Sequence, residues 1–277
     1  MMLFKRILVI VDGSPTSHYA VDASLTLSRE DGSPLLFCVS VDPELCGAQS
    51  EIAAFGEIAI GRSQQLLDAA LARARASGCM DATGVIVRDD PVRGAVAVAN
   101  EKDVGLIVLG VAPRVGLLRP FMQSLAHEIL VKTTIPLCVM RRPALGRLSH
   151  RMLVPIVDDA LSRHAIDYAI TLAQNFQSTL LFCTLAGSIA MRSAAQALVE
   201  NARAYASERG IVGEGFLLDP QRNVSQSITN DAVVHGCDAI VMATHARAGF
   251  QRLVEGSVSE AVIYSSNVPV MMVRAPA

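Results

Sequence analysis

The sequence predicts an α/β protein built from two tandem doubly wound units, each a five-stranded parallel sheet of the Rossmann-like kind. Three observations predict it. The chain is written twice: "SPLLFCVSV" (33–41) returns as "STLLFCTLA" (178–186), and "IPLCVMR" (135–141) returns as "VPVMMVR" (268–274). The predicted strands are short apolar runs such as "ILVIV" (7–11) and "LIVLG" (106–110), the pattern of strands buried on both faces. Helix-like segments separate these runs, as the crossovers of parallel strands require.

The second copy can be followed element by element. "LVPIV" (153–157) reads as its first strand. Ala165, Ile166, Ala169, Ile170 and Ala173 then recur at spacings of three and four, one apolar helix face. "LLFCT" (180–184) is the second strand, a helix carries Leu198, Val199, Ala202, Tyr205 and Ala206, and "GFLLD" (215–219) is the third strand. "SQSITNDAVVHG" (225–236) leads to the fourth, "AIVMA" (239–243), and a last helix leads into "VPVMMV" (268–273). The offset between the copies is 182 − 37 = 145 at Phe37 and Phe182, and 269 − 136 = 133 at Pro136 and Pro269. The first copy is therefore longer by 145 − 133 = 12 residues between its second and fourth strands. The Pro- and Gly-containing "VDPELCGAQSEIAAFGE" (41–57) is the expected place, as a flap. Pro143, Gly146 and a run of charge in "RRPALGRLSH" (141–150) mark the boundary, giving units at 1–143 and 150–277.

Composition narrows the function. Of 277 residues, 51% are hydrophobic and 18% charged, which describes a folded, core-rich chain. A net charge of −2, 4% aromatics and no Trp remove the electrostatic footprint and stacking platforms of a nucleic-acid binder. The apolar runs are far shorter than the ~20 residues that span a bilayer. Asp12 interrupts the first of them too early for a signal peptide, so no membrane association and a cytoplasmic location are expected. Cys38, Cys46, Cys79, Cys138, Cys183 and Cys237 form no C-x-x-C pair, and no His cluster completes a metal site. They read as small buried hydrophobes.

In an open parallel sheet a ligand lies beyond the carboxyl ends of the strands, where the strand order reverses. That rule selects the loops after the first and fourth strands: Asp12-Gly13-Ser14 and Asp158-Asp159, and then 111–129 and 244–262. An Asp there can accept from ribose hydroxyls or a base amino group. Gly256-Ser257, just before a helix, can present free N–H groups to an anion. The same residues have a plainer reading. Ser257-x-x-Glu260 is a capping box that needs no ligand, and Asp158 or Asp12 can cap the helix that follows.

A first strand ending in Asp, and a fourth strand followed by a G-x2-G-x9-G-[ST] spacing and "SVSEAVIYSSNVPVMMVR", resemble the universal stress protein family as a tandem of two units. In its nucleotide-binding members the motif holds the phosphates of ATP, and the Asp lies near adenine and ribose. The resemblance places the motif on Ala243, Ala246, Gly256 and Ser257 in the second copy, and on Gly110, Pro113, Gln123 and Ser124 in the first. Ala costs about 1–2 kcal/mol if the backbone must be left-handed, otherwise little. Pro113 removes a donor, and Gln123 sets a long side chain where backbone should meet phosphate.

The second copy is therefore the candidate nucleotide site, comprising Asp158, Asp159, Thr184, Met242, Ala243, His245, Ala246, Arg247, Gly249, Gly256, Ser257 and Val258. Asp12, Gly13, Ser14, Val39, Gly110 and Ser124 form a second, degenerate one. The implied ligand is ATP or a related adenine nucleotide, with or without Mg, and the implied role is a regulator or sensor in stress physiology.

No G-x-S-x-G, Walker G-x4-G-K-[ST] or H-E-x-x-H sequence is present, and the lone His18 and His164 make no triad. At most slow ATP hydrolysis is expected. The rival reading is a scaffold in which both sites have decayed. In the family, units associate through their final strands; "PLCVMR" and "PVMMVR" are expected to pair the two units as an intramolecular pseudo-dimer, and a homodimer of tandem chains is a further possible assembly.

Overall fold

The computed structural model of the chain describes residues 2–42, 50–112, 125–144, 150–157, 159–219, 223–244 and 258–274. These fall into two compact units that meet in sequence between Met140 and Arg141. The first contains β1 (Ile7–Ile10), α1 (Pro15–Asp31), β2 (Leu35–Ser40), α2 (Ser50–Ala76), β3 (Thr83–Val87), α3 (Pro91–Glu101), β4 (Leu106–Gly110), α4 (Leu125–Lys132) and β5 (Leu137–Met140). The second contains β6 (Arg151–Pro155), α5 (Ala160–Phe176), β7 (Thr179–Leu185), a short 3-10 turn, α6 (Arg192–Ser207), β8 (Gly213–Leu218), α7 (Val224–Val234), β9 (Ala239–Thr244), α8 (Val258–Ser265) and β10 (Val270–Arg274).

Within the first unit the strand order is β3-β2-β1-β4-β5, and within the second β8-β7-β6-β9-β10. Every ladder within a unit is parallel. The order reverses beside β1 and beside β6, because the chain crosses from the third strand to the far side of the first. That reversal opens the crevice in which a ligand can sit.

The elements form for local reasons. Ser14 caps α1 by accepting from Ser17 N–H at 3.1 Å, Pro15 sets the first helical turn, and Gly32 closes the helix in the left-handed conformation. Asp90 and Asn223 cap α3 and α7 in the same way. The apolar face anticipated for α5 is buried throughout, at Ala165, Ile166, Ala169, Ile170 and Ala173. Phe37 of β2 and Phe182 of β7, the pair that revealed the repeat, are both fully buried.

Three readings need adjustment. The strand expected at 153–157 is β6, two residues earlier, because Val157 N–H leaves the ladder and donates to Ser162 Oγ of α5 at 2.8 Å. Residues 50–57 of the expected flap are the opening turns of α2, a single helix of 27 residues; residues 43–49 lie outside the described residues. Tyr205 is not plain core. Its hydroxyl donates to Asp167 at 2.8 Å, and the guanidinium groups of Arg163 and Arg209 lie 4.3 and 3.4 Å from its ring centroid.

Candidate functional site

The site residues follow from how each strand ends. In the second unit, the last residues of β6, β7, β8 and β9 and the starts of α5, α7 and α8 enclose a cavity of about 220 Å³. Thr184, Met242, Ala243 and Val258 line it, four of the residues selected from the sequence. Leu161, Ala165, Cys183, Leu218 and Ile228 complete an apolar interior. These were not selected, although the strand-end rule points to Cys183 and Leu218 once strand lengths are known. Asp158, His245, Ala246, Arg247, Gly249, Gly256 and Ser257 lie outside the described residues, as does Ser124 of the first unit.

Asp159 is present at the crevice but is engaged locally: its Oδ1 accepts from Ser162 N–H at 2.7 Å, the N-cap of α5. Replacing it, Asp159→Ala, should cost about 1 kcal/mol of stability, measured by urea unfolding. A stability unchanged within error would mean that the cap is dispensable. Asp159 also borders a second cavity, of about 320 Å³, with Arg163, Asn201 and Tyr205; Val157 and Ser162 line both.

In the first unit, Asp12, Gly13, Ser14, Val39 and Gly110 meet at the carboxyl ends of β1, β2 and β4. Asp12 Oδ1 accepts from Ser14 N–H at 2.8 Å, and Gly13 between them has φ of +78°. A Cβ there would also lie 2.9 Å from Leu66 of α2, so the helix side chain packs directly over the loop. Gly110 is extended, not left-handed. A Cβ on it would stand 2.2 Å from the carbonyl carbon and oxygen of Thr16 and 2.6 Å from Ser17 N. Its smallness therefore serves the approach of α1. Ala243 takes the same place in β9, also outside the left-handed region, so its methyl carries no backbone cost and instead forms part of the cavity wall.

The thiols bear on the chemistry available. Burial pushes Cys38 and Cys138 up to about 12 and Cys237 up to about 11, and raises Cys183 well above the ordinary thiol value. Near neutral pH these four are protonated and act as hydrophobes, neither nucleophiles nor metal ligands. Among the described residues, no three His, Cys, Asp or Glu side chains gather where they could hold a metal ion.

The comparison with protein families decides the family. The model of the universal stress protein family matches residues 3–141 and again 149–274. The chain is a tandem member of the universal stress protein family. Its fold is that of solved relatives. A universal stress protein from Archaeoglobus fulgidus DSM 4304 is similar over 99% of this chain and 97% of its own, with a TM-score of 0.82 and 16% identity. A universal stress protein from Pseudomonas aeruginosa UCBPP-PA14 is 17% identical over 98% of this chain and 93% of its own, at a TM-score of 0.62. No curated protein matches the chain. No helix among the described residues of this universal stress protein is long and apolar enough to cross a membrane.

Proposed function

We propose that this universal stress protein binds ATP or a related adenine nucleotide in its second unit and serves as a regulator or sensor in stress physiology. The observation that carries the reading is the cavity at the carboxyl ends of β6 to β9, at the strand-order reversal, lined by Thr184, Met242, Ala243 and Val258. A cavity of about 220 Å³ is smaller than the roughly 300–1,000 Å³ of a whole ligand pocket. It suits the planar, apolar part of such a ligand, with sugar and phosphates outside. Val258 and Ser259 open α8 at its rim, so the phosphates would lie near the positive end of that helix. A Mg ion accompanying the nucleotide would be held by phosphate oxygens and water. Among the described residues that line the cavity, none is suited to activate water, which is in keeping with a protein that binds nucleotide and turns it over slowly at most.

Mass spectrometry of small molecules released from the purified, denatured protein, together with calorimetric titration of ATP to millimolar concentration, tests the reading. Adenine nucleotide in the release, or heat of binding, supports it. Absence of both favours a scaffold that retains the paired fold without a ligand. The choice of unit has its own test. Gly256→Gln, which copies Gln123 of the first unit, should remove detectable ATP binding, because a long side chain then stands where backbone meets phosphate. Binding that survives this change would move the site to the first unit.

A further inference from the structure

The two units differ in the loop after the first strand. The strand ladders pair Ile7 with Leu35 and Met152 with Leu180. Val11 N–H donates to Cys38 O, and Ile156 N–H to Cys183 O. The caps Ser14 and Asp159 each accept from the N–H three residues on, at Ser17 and Ser162. All of these matches share one offset, 152 − 7 = 145, so Val157 holds the place of Asp12. Asp159 holds the place of the cap Ser14.

We infer that Val157 makes the second unit's site indifferent to the hydrogen-bond donor, a ribose hydroxyl or the 6-amino group of the base, that a bound nucleotide directs toward the loop after its first strand. The inference rests on the nucleotide reading above. Asp12 spends one oxygen partly on Ser14 N–H, and an ionised carboxylate keeps further lone pairs for a ligand donor. A site with such an acceptor rejects an analogue that lacks the donor. Val157 lines the cavity, its side chain carries no acceptor, and its backbone carbonyl accepts from Asp159 N–H at 2.9 Å. It is also 56% exposed, so a ligand donor beside it keeps its water instead of being stranded. The outcome is indifference, neither selection nor rejection. Val258, 41% exposed at the same cavity, extends the apolar rim.

Titration calorimetry of the full chain with ATP, 2′-deoxy-ATP and inosine triphosphate tests this. The second unit's contribution is identified as the component that disappears in Ala165→Met, which fills the cavity. In the natural chain the three ligands should bind that component within twofold of one another. Val157→Asp should then favour ATP over at least one analogue by fivefold or more, and Val157→Asn, which adds an uncharged acceptor, by less. Matching melting temperatures confirm that both variants fold.

A fivefold preference for ATP already present in the natural chain overturns the inference, and its loss in Asp158→Ala would assign the selectivity to Asp158. A Val157→Asp chain that gains no preference overturns it as well, because position 157 then does not face the ligand. If no nucleotide binds the natural chain at all, the nucleotide reading itself fails and this inference falls with it. That result is distinct from binding with discrimination.

Discussion

Replacing Gly110 with Ala should destabilise the first unit by roughly 2–3 kcal/mol, the upper range for overpacking a tight core. The added methyl would sit 2.2 Å from the backbone of Thr16, and backbone in the first turn of a capped helix cannot swing aside as a side-chain end can. Relief requires α1 to move off β4, yet its start is fixed by the Ser14 cap and by Pro15. The reciprocal change, Ala243→Gly in the second unit, should shift stability by less than about 1 kcal/mol, because it removes a methyl at a cavity wall and adds none against backbone. Urea unfolding of both variants measures the contrast. If Gly110→Ala unfolds with the natural midpoint, α1 can yield, and the glycine is there for some reason other than packing.

Ala165→Met should weaken nucleotide binding by tenfold or more while leaving the fold intact. Ala165 is buried on α5 with its side chain at the cavity wall. Methionine is unbranched and adaptable, so it can enter the cavity of about 220 Å³ without forcing the helix away. Filling that space should hold or raise stability by up to about 1 kcal/mol, which separates a plugged site from a damaged one. A chain that melts as before and still binds ATP with its original affinity would show that the ligand does not use this cavity. A chain destabilised by more than about 2 kcal/mol would show that the side chain overpacks the core instead of entering the space.

Much of the molecule was legible in its residues. The offset at Phe37 and Phe182, both fully buried, and the apolar run at Ala165 to Ala173 are statements about period and repetition. Period and repetition survive folding because a parallel sheet buries its strands on both faces. Thr184, Met242 and Ala243 were legible for a related reason: a strand's carboxyl end is set by its own length. The role of Asp159 was harder to read, since an Asp before a helix serves a cap and a ligand equally well until its partner is known. The bond from Ser162 N–H establishes the cap.

The sequence by itself determined the tandem α/β architecture, the five strands of each unit and the end of the sheet at which a ligand belongs, because hydrophobic periodicity and crossover length leave few alternatives. Only the tertiary structure showed that the offset of 145 holds through the loop after the first strand, so that Val157 stands where Asp12 stands. Only it decided that Gly110 makes room for a helix, while Ala243 helps to wall a cavity. Those outcomes depend on ladder register and on the distance between a helix end and a strand end. Both are set by contacts between residues far apart in the chain, which no local pattern of residues encodes.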